Sequence, residues 1–111
     1  MSIAILDYGL GNLYSINQAC FHVGIDAKIT TNKDDIKNAE ALILPGVGAF
    51  GDAMAYLNDK DLINSIRDFV LSGRQFLGIC LGMQLMFSES EEFGNHPGLN
   101  FIRGKICRFP S

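Results

Sequence analysis

The stretch Gln75-Phe76-Leu77-Gly78-Ile79-Cys80-Leu81-Gly82-Met83-Gln84 decides the fold. Gln75 to Ile79 reads as a strand buried on both faces, and Leu81 to Phe87 has the composition of a helix, so a strand runs into a helix through Cys80. Working outward, Ile3 to Leu6 is a second apolar run with a β-branched start, ended by Asp7 and the glycines Gly9 and Gly11. From Asn12 the apolar residues Leu13, Ile16, Ala19, Cys20 and Val23 recur at helical spacing, with Gly24 as C-cap. Asp26 to Thr31 and Ala41 to Leu44 read as strands, the latter stopped by Pro45. Leu62, Ile63, Ile66, Phe69 and Val70 mark a second amphipathic helix closed by Ser72 and Gly73. A polar loop from Ser88 to Gly98 then leads to two short strand-like pieces near Phe101 and Ile106. Buried strands alternating with helices predict a three-layer, flavodoxin-like α/β fold, its sheet mainly parallel and its helices on both faces.

The 111 residues, 48% hydrophobic, suffice for one core, and the expectation is a single domain over 1–111. A net charge of -3, with no basic cluster beyond Arg103, Lys105 and Arg108, argues against nucleic acid. The longest apolar run, Phe76 to Phe87, contains Gln84 and falls short of the roughly 20 residues a membrane span needs. No cationic stretch precedes Ile3 to Leu6 and Asp7 cuts that segment short, so a cytoplasmic chain without a signal peptide is expected. Cys20, Cys80 and Cys107 are odd in number and lack C-x-x-C spacing, and only His22 and His96 could join them, which disfavours disulfides and metal alike. In Gly9-x-Gly11, Tyr14 stands where a third glycine belongs and no acidic residue ends the second strand, so no dinucleotide or other cofactor is expected.

In a parallel sheet, ligands bind beyond the carboxyl ends of the strands. The three loops leaving that edge, Tyr8 to Gly11, Pro45 to Gly51 and Gly78 to Gly82, hold seven of the twelve glycines. Gly78-Ile79-Cys80-Leu81-Gly82 has the form of a nucleophile elbow with cysteine in the place of serine. The glycines leave room for a sharp turn, and a helix starting at Leu81 favours the thiolate that attacks an acyl carbon. The Leu81 amide is a candidate oxyanion donor, and Pro45-Gly46-Val47-Gly48 offers a second from the neighbouring strand end. Cys20 and Cys107 read as packing residues. His22 reads as a helix-end residue and His96 as a turn residue, so the general base is missing. Glu89, Glu91 and Glu92 read as a solvated helix end.

Gly78 to Gln84 together with Pro45-Gly46-Val47-Gly48 closely resembles the class I glutamine amidotransferases, whose cysteine attacks the side-chain amide of glutamine. Asp7-Tyr8-Gly9-Leu10-Gly11-Asn12-Leu13 narrows the resemblance to the glutaminase subunits of imidazole glycerol phosphate synthases of histidine biosynthesis, and it runs over the whole chain. The resemblance implies Cys80 as nucleophile, the Val47 and Leu81 amides as oxyanion donors, and Gly46, Gly48, Gln84 and Glu92 as groups that hold L-glutamine. It places Asn12 near the face that meets the synthase (cyclase) subunit, a (β/α)8 barrel that takes up ammonia along a sheltered path. Family members continue beyond the equivalent of Ser111 and carry a triad histidine and glutamate there. The resemblance is therefore to the N-terminal part of the domain and implies a chain inactive alone. Two other roles fit the same residues, a non-catalytic docking module for the synthase and an amidotransferase subunit of a related amidation pathway. Small cysteine hydrolases share the G-x-C-x-G elbow, but the Leu81-Gly82-Met83-Gln84 continuation argues against them.

Overall fold

The four apolar runs pair as parallel strands in the computed structural model, which describes residues 2–110. Met1 and Ser111, the ends of the expected domain, lie outside the described residues. β1 (Ile3–Leu6), β2 (Ala27–Thr30), β3 (Ala41–Leu44) and β4 (Gln75–Gly78) stand in the order β2-β1-β3-β4. Ile3 is paired with both Ala27 and Ala41, and Ala41 with Gln75. Successive side chains of a strand face opposite ways, so each run serves two cores. Ala4, Leu6, Leu42 and Leu44 pack under α2 (Lys33–Asn38), α3 (Phe50–Asp59) and α4 (Ile63–Leu71). Ile3, Ile5 and Ile43 meet α1 (Leu13–His22) through Leu13, Ile16 and Cys20. This is the expected α/β sheet with helices on both faces.

Two helices went unpredicted. α2 carries a single apolar residue, Ile36, so it has no stripe to read; Asn32 caps it by accepting from the Asp34 N–H at 2.8 Å. α3 begins at Phe50, inside the segment read as a loop, and buries Phe50, Ala53 and Leu57 at helical spacing. The expected helix over 81–87 is shorter: α5 covers Leu81–Gln84, and β5 (Phe87–Ser90) follows after two residues. β5 and β6 (His96–Pro97) thus occupy part of the expected polar loop, and the two terminal strand-like pieces are one strand, β7 (Ile102–Ile106). These form a second sheet ordered β6-β5-β7, in which β5 runs antiparallel to β6 and parallel to β7. The Phe76 and Phe101 rings meet edge to face with their centroids 5.9 Å apart and tie this sheet to the first.

β4 departs from its expected burial. It lies at the edge of the four-stranded sheet, and Leu77 is 55% exposed on the face shared with Ile3 and Ile43. Among the described residues, no helix is long and apolar enough to cross a membrane.

Candidate active site

Cys80 occupies the turn between β4 and α5 with φ 55° and ψ -119°. Such a left-handed conformation costs a residue with a Cβ about 1–3 kcal/mol and persists only where the surroundings enforce it. The enforcement is visible on both sides. The Ile79 N–H donates to the Leu44 carbonyl at 3.0 Å, the Gly82 N–H returns to the Ile79 carbonyl at 2.9 Å, and α5 opens with Gln84 N–H to Cys80 at 3.2 Å. A methyl group on Gly78 would lie 2.8 Å from the Met83 Cα, and one on Gly82 would lie 2.7 Å from the Leu44 carbonyl carbon. The flanking glycines are required because backbone packs against backbone here. Cys80 is exposed, and among the described residues no hydrogen bond reaches its thiol.

The two expected oxyanion donors are not open together. The Leu81 N–H donates to the Gly46 carbonyl at 3.3 Å. Because a trans peptide points its C=O and N–H in opposite directions, the Val47 N–H of the same unit faces away from Leu81. A hole made of the Val47 and Leu81 amides therefore requires the Gly46–Val47 peptide to turn over. Its neighbours permit this, since Gly46 and Gly48 flank it and Gly48 already sits at φ 106° with nothing within 4 Å of where a Cβ would be. Beneath the loop the fully buried Tyr8 hydroxyl donates to the Pro45 carbonyl at 2.7 Å, and burial pushes its ionisation well above the usual phenol range. No role was read for Tyr8 from the sequence; its signal is a polar-tipped aromatic at the end of a buried strand.

Gln84 and Glu92 line one cavity of about 440 Å³ together with Phe93, Ile106, Cys107 and Arg108. Gln84 stands four residues beyond Cys80, its N–H donating to the Cys80 carbonyl at 3.2 Å. Glu92 also serves the fold, because its carboxylate accepts the Phe50 N–H at 2.9 Å and so caps α3, where Ala49 supplies no side-chain cap. Glu89 and Glu91 do not end a helix; they pair with Lys105 at 3.5 and 3.1 Å. The bonds that Lys105 donates to them, the one to Glu91 first, hold its ammonium above the usual lysine range. Cys20 is buried as expected, whereas Cys107 lies just beyond β7 and is exposed rather than packed.

Neither histidine bonds to Cys80 among the described residues. His22 is the last residue of α1. The His96 ring lies against Gly51, where a methyl group would come within 2.7 Å of it, and its Nε2 is 3.0 Å from the Phe93 carbonyl. The exposed Asn12 caps α1 by accepting from the Ser15 N–H at 3.2 Å.

Comparison with known proteins places this geometry. The chain is 51% identical over 108 residues to the imidazole glycerol phosphate synthase subunit HisH of Syntrophotalea carbinolica, covering 97% of this chain and 52% of the relative. It is 50% identical over 106 residues to the subunit of that name from Bacillus subtilis, covering 96% and 50%. The chain thus spans about half the length of the curated relatives it matches. A crystal structure of a glutamine amidotransferase superposes with TM-score 0.79 at 22% identity, over 96% of this chain and 56% of that one. A peptidase E of Listeria monocytogenes superposes with TM-score 0.66 at 10% identity, over 79% and 50%, a likeness of fold alone. The profile of the glutamine amidotransferase class-I family matches residues 4–105, from β1 through the cysteine elbow to β7, and the chain belongs to that family.

Proposed function

We propose that residues 1–111 form one unit carrying the nucleophile of a glutaminase that feeds ammonia to the synthase subunit of imidazole glycerol phosphate synthase, in the histidine pathway of the cytoplasm. The observation that carries this reading is Cys80 held at φ 55° between a strand and a helix, with glycines in contact with backbone on both sides. The names of relatives at about half identity, imidazole glycerol phosphate synthase subunits, support the choice of synthase.

In this reading the Cys80 thiolate attacks the carboxamide carbon of L-glutamine. The carbonyl oxygen becomes an oxyanion bound by the Leu81 and Val47 amides after the Gly46–Val47 peptide has turned. The intermediate collapses to a γ-glutamyl thioester on Cys80 and ammonia, and water then releases glutamate. The α-ammonium and α-carboxylate occupy the cavity of Gln84 and Glu92, whose lining carries both charge signs, Glu91 and Glu92 against Arg108, as a zwitterion requires. Gly46 and Gly48 let the loop approach the substrate. No cofactor is involved. In this reading, with neither histidine bonded to Cys80, the proton is taken and delivered by a group outside the described residues. Asn12 lies near the face that meets the partner, a (β/α)8 barrel.

The test is ammonia release from glutamine by this chain alone, by a version extended to the length of its relatives, and by each with the synthase subunit added. Release by the extended version with its partner, lost in Cys80→Ser, supports the reading. Its absence there, with binding to the synthase intact, identifies a docking module instead. Robust release by the 111-residue chain, lost in His96→Ala, overturns the assignment of the histidines.

A further inference from the structure

We propose that Tyr8 is the positioning residue of the oxyanion loop: its buried hydroxyl fixes the Pro45 carbonyl and so confines movement to the Gly46–Val47 peptide. The inference rests on the proposed role of Cys80 and deepens it.

Tyr8 is wholly buried among apolar side chains, where its hydroxyl is the one feature that phenylalanine would lack. Its hydroxyl is dehydrated for a single visible return, the 2.7 Å bond to Pro45 across 37 residues of chain. The oxygen also underlies the next residue, since a methyl group on Gly46 would lie 2.5 Å from it. Pro45 brings a fixed φ and no N–H, so once its carbonyl is held the backbone is immobile up to the Gly46 Cα. The first free rotation beyond is that of the Gly46–Val47 peptide, bounded downstream by Gly48 at φ 106°. That peptide decides the site: in one orientation its carbonyl occupies the Leu81 N–H, and in the other the Leu81 and Val47 amides are released together. An anchored stem makes this a two-position switch; an unanchored one lets the whole loop drift, and neither donor is then prepared for the oxyanion.

Two reactions at Cys80 separate positioning from folding. A p-nitrophenyl γ-ester of glutamate acylates the thiolate: the C–S bond forms, the ester C–O bond breaks, p-nitrophenolate leaves and is read by absorbance, and an oxyanion forms on the way. Iodoacetamide alkylates the same sulfur by displacing iodide and forms no oxyanion. Tyr8→Phe is expected to slow acylation about 10-fold, the effect of one lost hydrogen bond, and to leave alkylation within about twofold of wild type. Equal slowing of both reactions, or of neither, overturns the proposal. Acylation of wild type no faster than of Cys80→Ser removes the nucleophile reading instead. Tyr8 is then judged by the Leu81 amide, whose hydrogen exchange should quicken about 10-fold in Tyr8→Phe if the anchor holds the Gly46 carbonyl in place. Unchanged exchange overturns the proposal whatever the ester does. If Tyr8→Phe does not fold, wild type decides: its Tyr8 hydroxyl proton should be a slowly exchanging resonance in contact with the Gly46 α-protons, and its absence refutes the anchor.

Discussion

Gly82→Ala sets two effects of opposite sign against each other. Gly82 lies inside α5, and alanine in place of glycine ordinarily stabilises a helix by about 1 kcal/mol. Its φ is not in the left-handed region, so the new residue suffers no backbone strain. Space decides otherwise. The added methyl group would stand 2.7 Å from the carbonyl carbon of Leu44, closer still to that carbonyl's oxygen, and 3.0 Å from the oxygen of Pro45. Ordinary contact begins at 3.4 Å, so α5 and the end of β3 must separate by at least 0.7 Å, and no flexible side chain is available to yield. Overpacking of this kind costs about 1–3 kcal/mol. The displaced Leu44 carbonyl is also the acceptor of the Ile79 N–H, and stretching that bond costs roughly 1–3 kcal/mol more if the group is left unpaired. The sum exceeds the helix-propensity gain and predicts a net loss of roughly 1–5 kcal/mol, a large share of the 5–15 kcal/mol typical of a domain. Urea unfolding followed by circular dichroism measures it. A Gly82→Ala chain as stable as wild type, or more stable, would refute the backbone-contact account of the elbow and leave its glycines without a structural reason.

Cys20 should resist iodoacetamide in folded protein while Cys80 and Cys107 both react; peptide mapping that finds Cys20 labelled as fast as either would contradict the packing of α1 on the sheet. Glu92→Ala should remove the cap of α3, cost about 1 kcal/mol and lower the melting temperature by roughly 4 °C. An unchanged melting temperature would mean that the carboxylate is not committed to Phe50. Asp35 is held below the usual carboxylate range, first by the bond from Thr30 and then by that from Lys28. Because its folded value is the lower one, the stabilisation is complete above about pH 4, the unfolded value, and disappears as pH falls through the folded value. Asp35→Asn should therefore weaken the fold at pH 7 and converge on wild type in acid, and a stability gap that widens in acid would contradict the assignment.

The parts of the fold legible in the sequence are those where one property serves one purpose. Ile3 to Leu6 and Ala41 to Leu44 are apolar throughout because both their faces are covered, and no other structure suits a four-residue run of that kind between glycine- and proline-containing segments. The helix α2 was hidden because Ile36 alone anchors it, the remaining turns being held by the Asn32 cap and by the bonds of Asp35 to β2. β5 was hidden by the reverse condition, since the apolar run of α5 continues through Leu85 and Met86 into Phe87 and conceals the change of period. Leu77 shows the limit of composition as a guide to burial: the run says what the side chain prefers, while its 55% exposure is set by what is packed on that face of β4.

At the site, residue types were readable and orientations were not. Glycines on both sides of a cysteine between a strand and a helix announce a tight elbow, and the contacts of Gly78 and Gly82 with backbone give that pattern its physical cause. The direction of the Gly46–Val47 peptide has no such trace, because a glycine is compatible with either orientation and its presence reports freedom rather than state. What selects the observed state is tertiary: the Leu81 N–H needs a partner and takes the Gly46 carbonyl, next to the Pro45 carbonyl that Tyr8 holds. At 3.3 Å that bond is long beside the 2.7 Å anchor, so the rigid part of the loop is its stem and the adjustable part is the peptide that an oxyanion would have to turn. A carboxamide carbon converting to a tetrahedral oxyanion on Cys80 would give the Leu81 amide a stronger acceptor than the Gly46 carbonyl it leaves, and would bring the Val47 amide a charged acceptor as well. Under the proposed chemistry, the driving force for opening the site comes from the reaction itself.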